Sequence, residues 1–355
     1  MKKIIITGIL GQDGANMAEY LLSLYDELGL EEHDYEIYGM MRRSANPNFK
    51  NIEKIKNHPR FNLQFLDLGD SASIDTAVKE IQSDYFINFA ANSFVGISWK
   101  MPEQVMNVNA LGVLRCLEAI RKFKPDCRFY SAGSSEEWGN VDYSPQDIAH
   151  PIKPRSPYGA SKAAARHLVK VYRESYGLYA VHGILFNHEG TKRGEEFVTR
   201  KISKGVARIK NSIDRAIGLG DEIYIEPIEL GNLDAKRDWS DSRDFVEGVW
   251  LMLNQDTPKD HILASGETHS IREFVEKAFA VAGINGSWHG QGLDEVFVTG
   301  QQTLVRINSD FYRPAEVDLL LGDSTPIREE LEWEPKISFD KLVESMVLYD
   351  IENHA

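Results

Sequence analysis

In the stretch S-P-Y-G-A-S-K, Tyr158 and Lys162 stand at positions i and i+4. That spacing puts both on one face of a helix. A lysine ammonium beside a phenol favours the phenolate and lowers a pKa that is normally about 10. Tyr158 would then be a base usable at neutral pH. Y-x-x-x-K recurs by chance in many helices, so the pair needs company. Upstream, C-R-F-Y-S-A-G-S-S-E-E-W-G-N-V (Cys127 to Val141) reads as a buried strand ending in small hydroxyl residues. Ser134 there can hydrogen-bond the same substrate oxygen as Tyr158. Glu136 and Glu137 follow at once, where an enzyme that only moves a hydride needs nothing acidic. On the residues alone, either glutamate could be a further acid/base group or a solvated loop residue.

A second constellation lies at the start of the chain. T-G-I-L-G-Q-D-G follows an apolar strand-like run and opens a helical pattern, with Gly8, Gly11 and Gly14 in a G-x-x-G-x-x-G spacing. Glycines here permit a tight turn and let the backbone approach a pyrophosphate at a helix N-terminus. Thr7, Gln12 and Asp13 belong to the same expected cradle. The second strand ends in M-M-R-R-S-A. An NAD enzyme usually has an acidic residue there, whereas Arg42, Arg43 and Ser44 suit a 2′-phosphate, so NADP is the expected cofactor. Asp67 and Leu68, after the third strand, are placed to flank the adenine. Ala90 and Ala91 are small residues at a strand end that leave room for the cofactor.

The elements that must hold these residues alternate. Up to about residue 190, short apolar runs (K-K-I-I-I-T-G, Y-E-I-Y-G-M-M, F-N-L-Q-F-L-D, Y-F-I-N-F-A-A, C-R-F-Y-S-A-G-S-S, Y-A-V-H-G-I-L-F-N) are separated by helical patterns. The expected fold class is α/β, a doubly wound parallel-sheet Rossmann domain with a smaller, interleaved α/β substrate-binding lobe. The NADP-binding part is expected at residues 1–188 plus about 232–265, and the lobe at about 189–231 plus 266–355. Ligands of such sheets bind beyond the carboxyl ends of the strands. The segment from Asp26 to Tyr35 is longer than expected between the first helix and the second strand.

The 355 residues, 42% hydrophobic and 26% charged, suit a globular enzyme with ample core. A formal charge of -14 disfavours nucleic acid or an anionic membrane as partner, since both need a basic face. A phosphorylated substrate would need local cations set against that field. The start M-K-K-I-I-I-T-G-I-L-G is not a signal peptide, and no run approaches a membrane span. A cytoplasmic location is therefore expected. Cys116 and Cys127 fall in a predicted helix and strand, which favours buried thiols over a disulfide. His261, His269 and His289 lack metal-ligand spacing, and no metal is expected.

Together these motifs resemble the extended short-chain dehydrogenase/reductase family of nucleotide-sugar enzymes, and within it the GDP-mannose 4,6-dehydratase branch. The resemblance runs through T-G-I-L-G-Q-D-G, R-R-S, F-Y-S-A-G-S-S-E-E-W-G, R-S-P-Y-G-A-S-K, G-I-L-F-N-H-E-G-T-K-R-G-E-E-F-V-T-R-K-I, L-G-N-L-D-A-K-R-D-W, A-S-G-E-T-H-S-I-R-E-F and Y-R-P-A-E-V-D-L-L-L-G-D, nearly the whole chain. It implies that Tyr158, helped by Ser134 and Lys162, takes the proton of a sugar 4-hydroxyl as hydride leaves carbon 4. The new ketone acidifies the hydrogen on carbon 5. A carboxylate removes it and protonates the departing 6-hydroxyl, and hydride returns to carbon 6. The family's Thr-Ser-Glu motif aligns with Ser134-Ser135-Glu136 and selects Glu136 for this role.

The resemblance also places Ser93, Ser135, Asn187 and Glu189 at the sugar or its diphosphate, and His188 and Arg193 at the cofactor. Lys201 is assigned to the diphosphate, and Arg237, Arg313 and Glu316 to the nucleotide pocket. Ser134 replaces the family threonine, Glu137 an apolar residue and Trp138 a tyrosine, while Gly133 and Phe94 stand where Ser and His are usual. These departures bear on the sugar, GDP-mannose or a GDP-manno-heptose larger at carbon 6. Family members are dimers or tetramers, so a homo-oligomer is implied, with Arg42 to Asn48 able to reach a neighbour. A 4-reductase or 4-epimerase would share the glycine loop and Tyr158–Lys162 but has no use for Glu136. A non-catalytic NADP sensor should have lost part of the Ser, Tyr, Lys and Glu set, and all are present.

Overall fold

The isoleucines of the first strand, Ile4, Ile5 and Ile6, are all fully buried, which marks a strand covered on both faces. The computed structural model describes residues 1–28, 34–220, 224–312, 317 and 319–353. Arg313 and Glu316, and most of the segment between the first helix and second strand, lie outside the described residues. The chain runs β1 (Lys2–Thr7), α1 (Gln12–Leu28), β2 (Tyr35–Met41), β3 (Phe61–Phe65), α2 (Ser71–Ile81), β4 (Tyr85–Asn88), α3 (Pro102–Met106), α4 (Gly112–Phe123), β5 (Arg128–Ala132), α5 (Pro157–Tyr176) and β6 (Ala180–Leu185). It continues through β7 (Asn187–Glu189), α6 (Val198–Leu219), β8 (Ile228–Leu230), β9 (Lys236–Arg237), β10 (Trp239–Asp241), α7 (Ser242–Leu253) and β11 (His261–Leu263). The remainder is β12 (His269–Ser270), α8 (Ile271–Val281), β13 (Ser287–His289), β14 (Val296–Thr299), β15 (Gln302–Ile307), α9 (Thr325–Leu331) and α10 (Phe339–Asn353).

Seven strands form one parallel sheet in the order β11-β6-β5-β4-β1-β2-β3. The order reverses between β1 and β4, the switch point where such sheets bind ligands. Ile4, Ile6 and Leu21 pack with Val249 and Leu253 of α7 on one face. Ile5, Phe86 and Phe129 pack with Val78, Leu117 and Val169 on the other. A further core joins α6, α8 and α10 to a four-stranded sheet, β13-β14-β15-β8. Two short pairings form small sheets of their own: β7 with β10, parallel, and β9 with β12, antiparallel.

Local chemistry sets the helix that carries Tyr158. Ser156 caps α5 by accepting from Gly159 N, Pro157 takes the first turn, and Gly177 ends the helix at φ +67. The first helix begins at Gln12, inside the glycine loop, so that the loop itself supplies the first turn. Cys116 and Cys127 are free and buried, and burial pushes both thiols up. Among the described residues no helix is long and apolar enough to cross a membrane, and no group of three His, Cys, Asp or Glu could hold a metal ion.

Candidate functional site

A cavity of about 1280 Å³ opens beyond the carboxyl ends of the parallel strands. A single-ligand pocket has roughly 300–1,000 Å³, so there is room for two ligands side by side. Every predicted site residue in the described part lines it, except Arg43. Arg42 and Arg43 leave the end of β2 in succession, so their side chains diverge. Arg42 and Ser44 face the cavity and Arg43 faces solvent. The expected arginine pair is therefore a single arginine.

The glycine loop is built to the limit of backbone contact. Gly8 sits at φ +69, and a Cβ on it would lie 2.9 Å from Ala90 N. A Cβ on Gly14 would lie 2.4 Å from Gly8 O. Gly11 N donates to Gly8 O at 2.8 Å, which leaves the first-turn N–H groups of α1 turned to the cavity end of the loop. Thr7 Oγ1 bonds Asn88 at 2.6 Å and accepts from Ala90 N at 3.1 Å, so it holds the loop against β4. This bare, donor-rich cradle fits a dinucleotide pyrophosphate. Asp67 accepts from Gly69 N at 2.8 Å, a turn-holding task it performs while lining the cavity.

Asp13 and His188 form a pair beneath the cradle, with His188 Nε2 3.0 Å from the carboxylate and Nδ1 2.7 Å from Phe186 O. Burial pushes Asp13 up, but His188, Arg193 and Gln12 outweigh it and hold the carboxyl down at about 2. His188 is raised: burial opposes its charge, and Asp13 overcomes the penalty. Both ring nitrogens are thus engaged within the protein, and His188 can meet a cofactor only through its carbons.

Lys162 Nζ donates to Ala132 O at 2.6 Å and lies 5.8 Å from the centre of the Tyr158 ring. Burial pushes Lys162 down to about 8. Burial also pushes the Tyr158 phenol up, against a hydrogen bond with Ser134 and with the Glu136 carboxylate adding to the rise. The expected lowering of the phenol is not found. Its lysine is held by a backbone carbonyl, and desolvation of a phenolate outweighs the rest.

The two glutamates part company in the turn Ser135–Glu137. Ser134 caps that turn: its Oγ accepts from Glu136 N at 3.2 Å, and its own N–H donates to Glu137 Oε1 at 2.9 Å. This reciprocal capping box folds Glu137 back into the protein. There its Oε1 also meets His182 Nε2 at 2.9 Å, and its Oε2 lies 3.8 Å from Arg166. Glu136 is left facing the cavity beside Tyr158. Gly133, expected to bear on the sugar, is bare for another reason. A Cβ there would lie 2.2 Å from His182 Nε2 and 2.8 Å from Glu137 Oε1.

Farther along the cavity, Glu189 accepts from Thr199 Oγ1 at 2.5 Å and pairs with Arg193 at 2.9 Å. Asn187 lines the wall, and its Oδ1 is buried without a hydrogen-bond partner. Lys201 Nζ lies 3.3 Å from the centre of the Phe311 ring, and burial lowers its pKa. Arg237 donates to Lys236 O at 2.9 Å. Ser93 and Ser135 line the wall as well. Sequence reasoning missed Asn109, which joins the loop after β4 to α5: its Oδ1 accepts from Asn92 N at 2.8 Å and its Nδ2 donates to Ser161 at 3.1 Å. It lies in a single π turn, Asn107–Leu111, which the apolar pattern of the helix conceals. It also missed the capping box, although S-x-x-E at Ser134 and Glu137 was its signal.

Comparison with known proteins gives concordant matches. The family described as GDP-mannose 4,6 dehydratase matches residues 5–346. A GDP-mannose 4,6 dehydratase of Drosophila melanogaster is 42% identical over 361 residues, covering 99% of this chain and 86% of that one. The Homo sapiens protein of the same name is 42% identical over 358 residues, covering 98% and 91%. Among solved structures, a dTDP-glucose 4,6-dehydratase from Streptomyces venezuelae with NAD bound superposes with a TM-score of 0.80 at 20% identity, covering 99% and 98% of the two chains.

Proposed function

Because the chain belongs to the GDP-mannose 4,6-dehydratase family, a family of hydro-lyases, we propose that it removes water from a GDP-manno-sugar with NADP as cofactor. The cofactor is assigned to the cradle at Gly8–Gly14 and to Arg42 and Ser44, and the GDP-sugar to the wall carrying Asn187, Lys201 and Arg237. Arg313 and Glu316 remain part of this assignment for the nucleotide. Bound there, NADP would supply the redox chemistry, accepting a hydride from carbon 4 and returning it to carbon 6. Tyr158 takes the proton of the 4-hydroxyl, and the Ser134 hydroxyl steadies the same oxygen. Lys162 places a cation behind the phenol and offsets part of the cost of its charge. Glu136 removes the hydrogen on carbon 5 and hands a proton to the 6-hydroxyl as it leaves. As carbon 6 regains the hydride, the proton that Tyr158 took is given to carbon 5, which returns Tyr158 and Glu136 to their starting states and leaves a GDP-4-keto-6-deoxy sugar and one water. GDP-mannose is the first candidate substrate and a GDP-manno-heptose the second. The same reading has the protein working in the cytoplasm as a homo-oligomer.

One observation carries the reading: of two adjacent glutamates, Glu137 is consumed by the protein while Glu136 is turned to the cavity beside Tyr158. A 4-reductase or 4-epimerase would have no work for it. The test incubates the protein, with catalytic NADP⁺, separately with GDP-mannose and GDP-D-glycero-D-manno-heptose, and follows loss of water by mass spectrometry. Wild type should dehydrate one of them, and Glu136→Gln should be slower by about 10²–10⁴-fold. Loss of water from neither sugar, or full activity in the variant, would overturn the assignment.

A further inference from the structure

We infer that Glu137 is a positioning residue for the reaction, holding Ser134 and Glu136 in place from behind the turn; this rests on the proposed function above. Its carboxylate is fully buried, and a buried charge is retained only where partners compensate it. Those partners come from three directions. Ser134 N–H donates to it from the turn at 2.9 Å, His182 of β6 meets it at 2.9 Å, and Arg166 of α5 stands 3.8 Å away. The carboxylate is thus anchored to the sheet and to the helix that carries Tyr158 and Lys162. Through one short bond it passes that anchorage to the backbone of Ser134.

The cap works in both directions. Ser134 Oγ accepts from Glu136 N at 3.2 Å, so the residue proposed to move protons at carbon 5 hangs from the same closed ring. Without Glu137 Oε1, the Ser134 N–H is left buried and unpaired. The turn then gains freedom at the two residues that must meet carbons 4 and 5. Gly133 completes the device, since any side chain there would occupy the space of His182 and Glu137. Burial pushes the Glu137 carboxyl up, and His182, Arg166 and the Ser134 N–H together hold it down, so the acceptor stays ionised. The titratable groups that face it are His182, Arg166, Lys162 and Tyr158.

What Glu137 supplies is reach more than charge, and two conservative variants separate these. Glu137→Gln keeps an oxygen at the length needed for Ser134 N–H. Glu137→Asp keeps the charge but falls one methylene short. Both are compared with wild type and with Glu136→Gln, measuring kcat, KM for the GDP-sugar, NADP affinity and melting temperature. Glu137→Asp should lose about 10–100-fold in kcat, the scale of a misplacement near 1 Å, with KM and NADP affinity within about threefold. Glu137→Gln should retain kcat within about threefold. If Glu137→Asp keeps wild-type kcat while only its melting temperature falls, or if the loss appears in KM alone, Glu137 is packing and the inference fails. Equal kcat losses in both variants would also overturn it, because charge rather than reach would then be the contribution. A wild type that dehydrates no sugar, or a fully active Glu136→Gln, is the separate failure of the proposed function.

Discussion

At the scale of single residues, the Asp13–His188 pair makes the clearest demand on pH. Asp13 is held at about 2 from an ordinary 3.8, so its contribution to stability is complete above about pH 4 and lost as pH falls through 2. Nearly two pK units amount to roughly 2 kcal/mol for this mostly buried group. His188 is raised above its ordinary 6.5, so its share is present below that value and lost as pH rises through the raised one. Thermal melts of wild type should therefore fall in acid more steeply than those of Asp13→Asn. Parallel acid limbs would show that the pair stabilises nothing. Tyr158, Lys162 and Ser134 could be read from the sequence because spacing alone brings the first two to one helix face. The separation of Glu136 from Glu137 could not be read without the family motif. It depends on a turn whose cap, Ser134, is also a site residue, and on His182, which the chain brings up only one strand later.

At the scale of elements, the parallel strands and their helices were legible because each is long enough to show its period. The part beyond β6 was not. β9 and β12 have two residues each and β7, β8 and β10 three, too few for a periodicity to appear. Their partners lie far away in sequence. The π turn before α4 was hidden for a related reason, since one inserted residue hardly disturbs an amphipathic pattern. It aims Asn109 at Asn92 and Ser161, and Ser161 Oγ in turn donates to Tyr158 O at 2.7 Å. Asn109→Ala should leave Asn92 N–H without its acceptor and cost about 1–3 kcal/mol in denaturant unfolding. It should also lower kcat, because the loop at Ala90–Ser93 and the Tyr158 helix lose their common tie. Unchanged stability and kcat would show that the turn is incidental.

At the scale of the whole molecule, a chain of formal charge -14 gathers cations such as Arg42, Lys201 and Arg237 around one cavity. The cavity is walled by both the large sheet and the part built on α6 and β8, so ligands in it should brace the two together. Cofactor at 100 times its dissociation constant should add about 2.7 kcal/mol, read as a rise in melting temperature. NADP should raise it more than NAD at equal concentration, and Arg42→Ala should close most of that gap. Equal shifts from both cofactors would count against NADP. The crossing of β7 with β10 and of β9 with β12, together with β8 lying beside β15, also limits how this gene can recombine. A single crossover anywhere between residues 190 and 301 parts at least one of these strand pairs. Exchange of the part built on α6, α8 and α10 therefore calls for more than one junction, so that part is inherited with the whole chain and does not travel as a cassette.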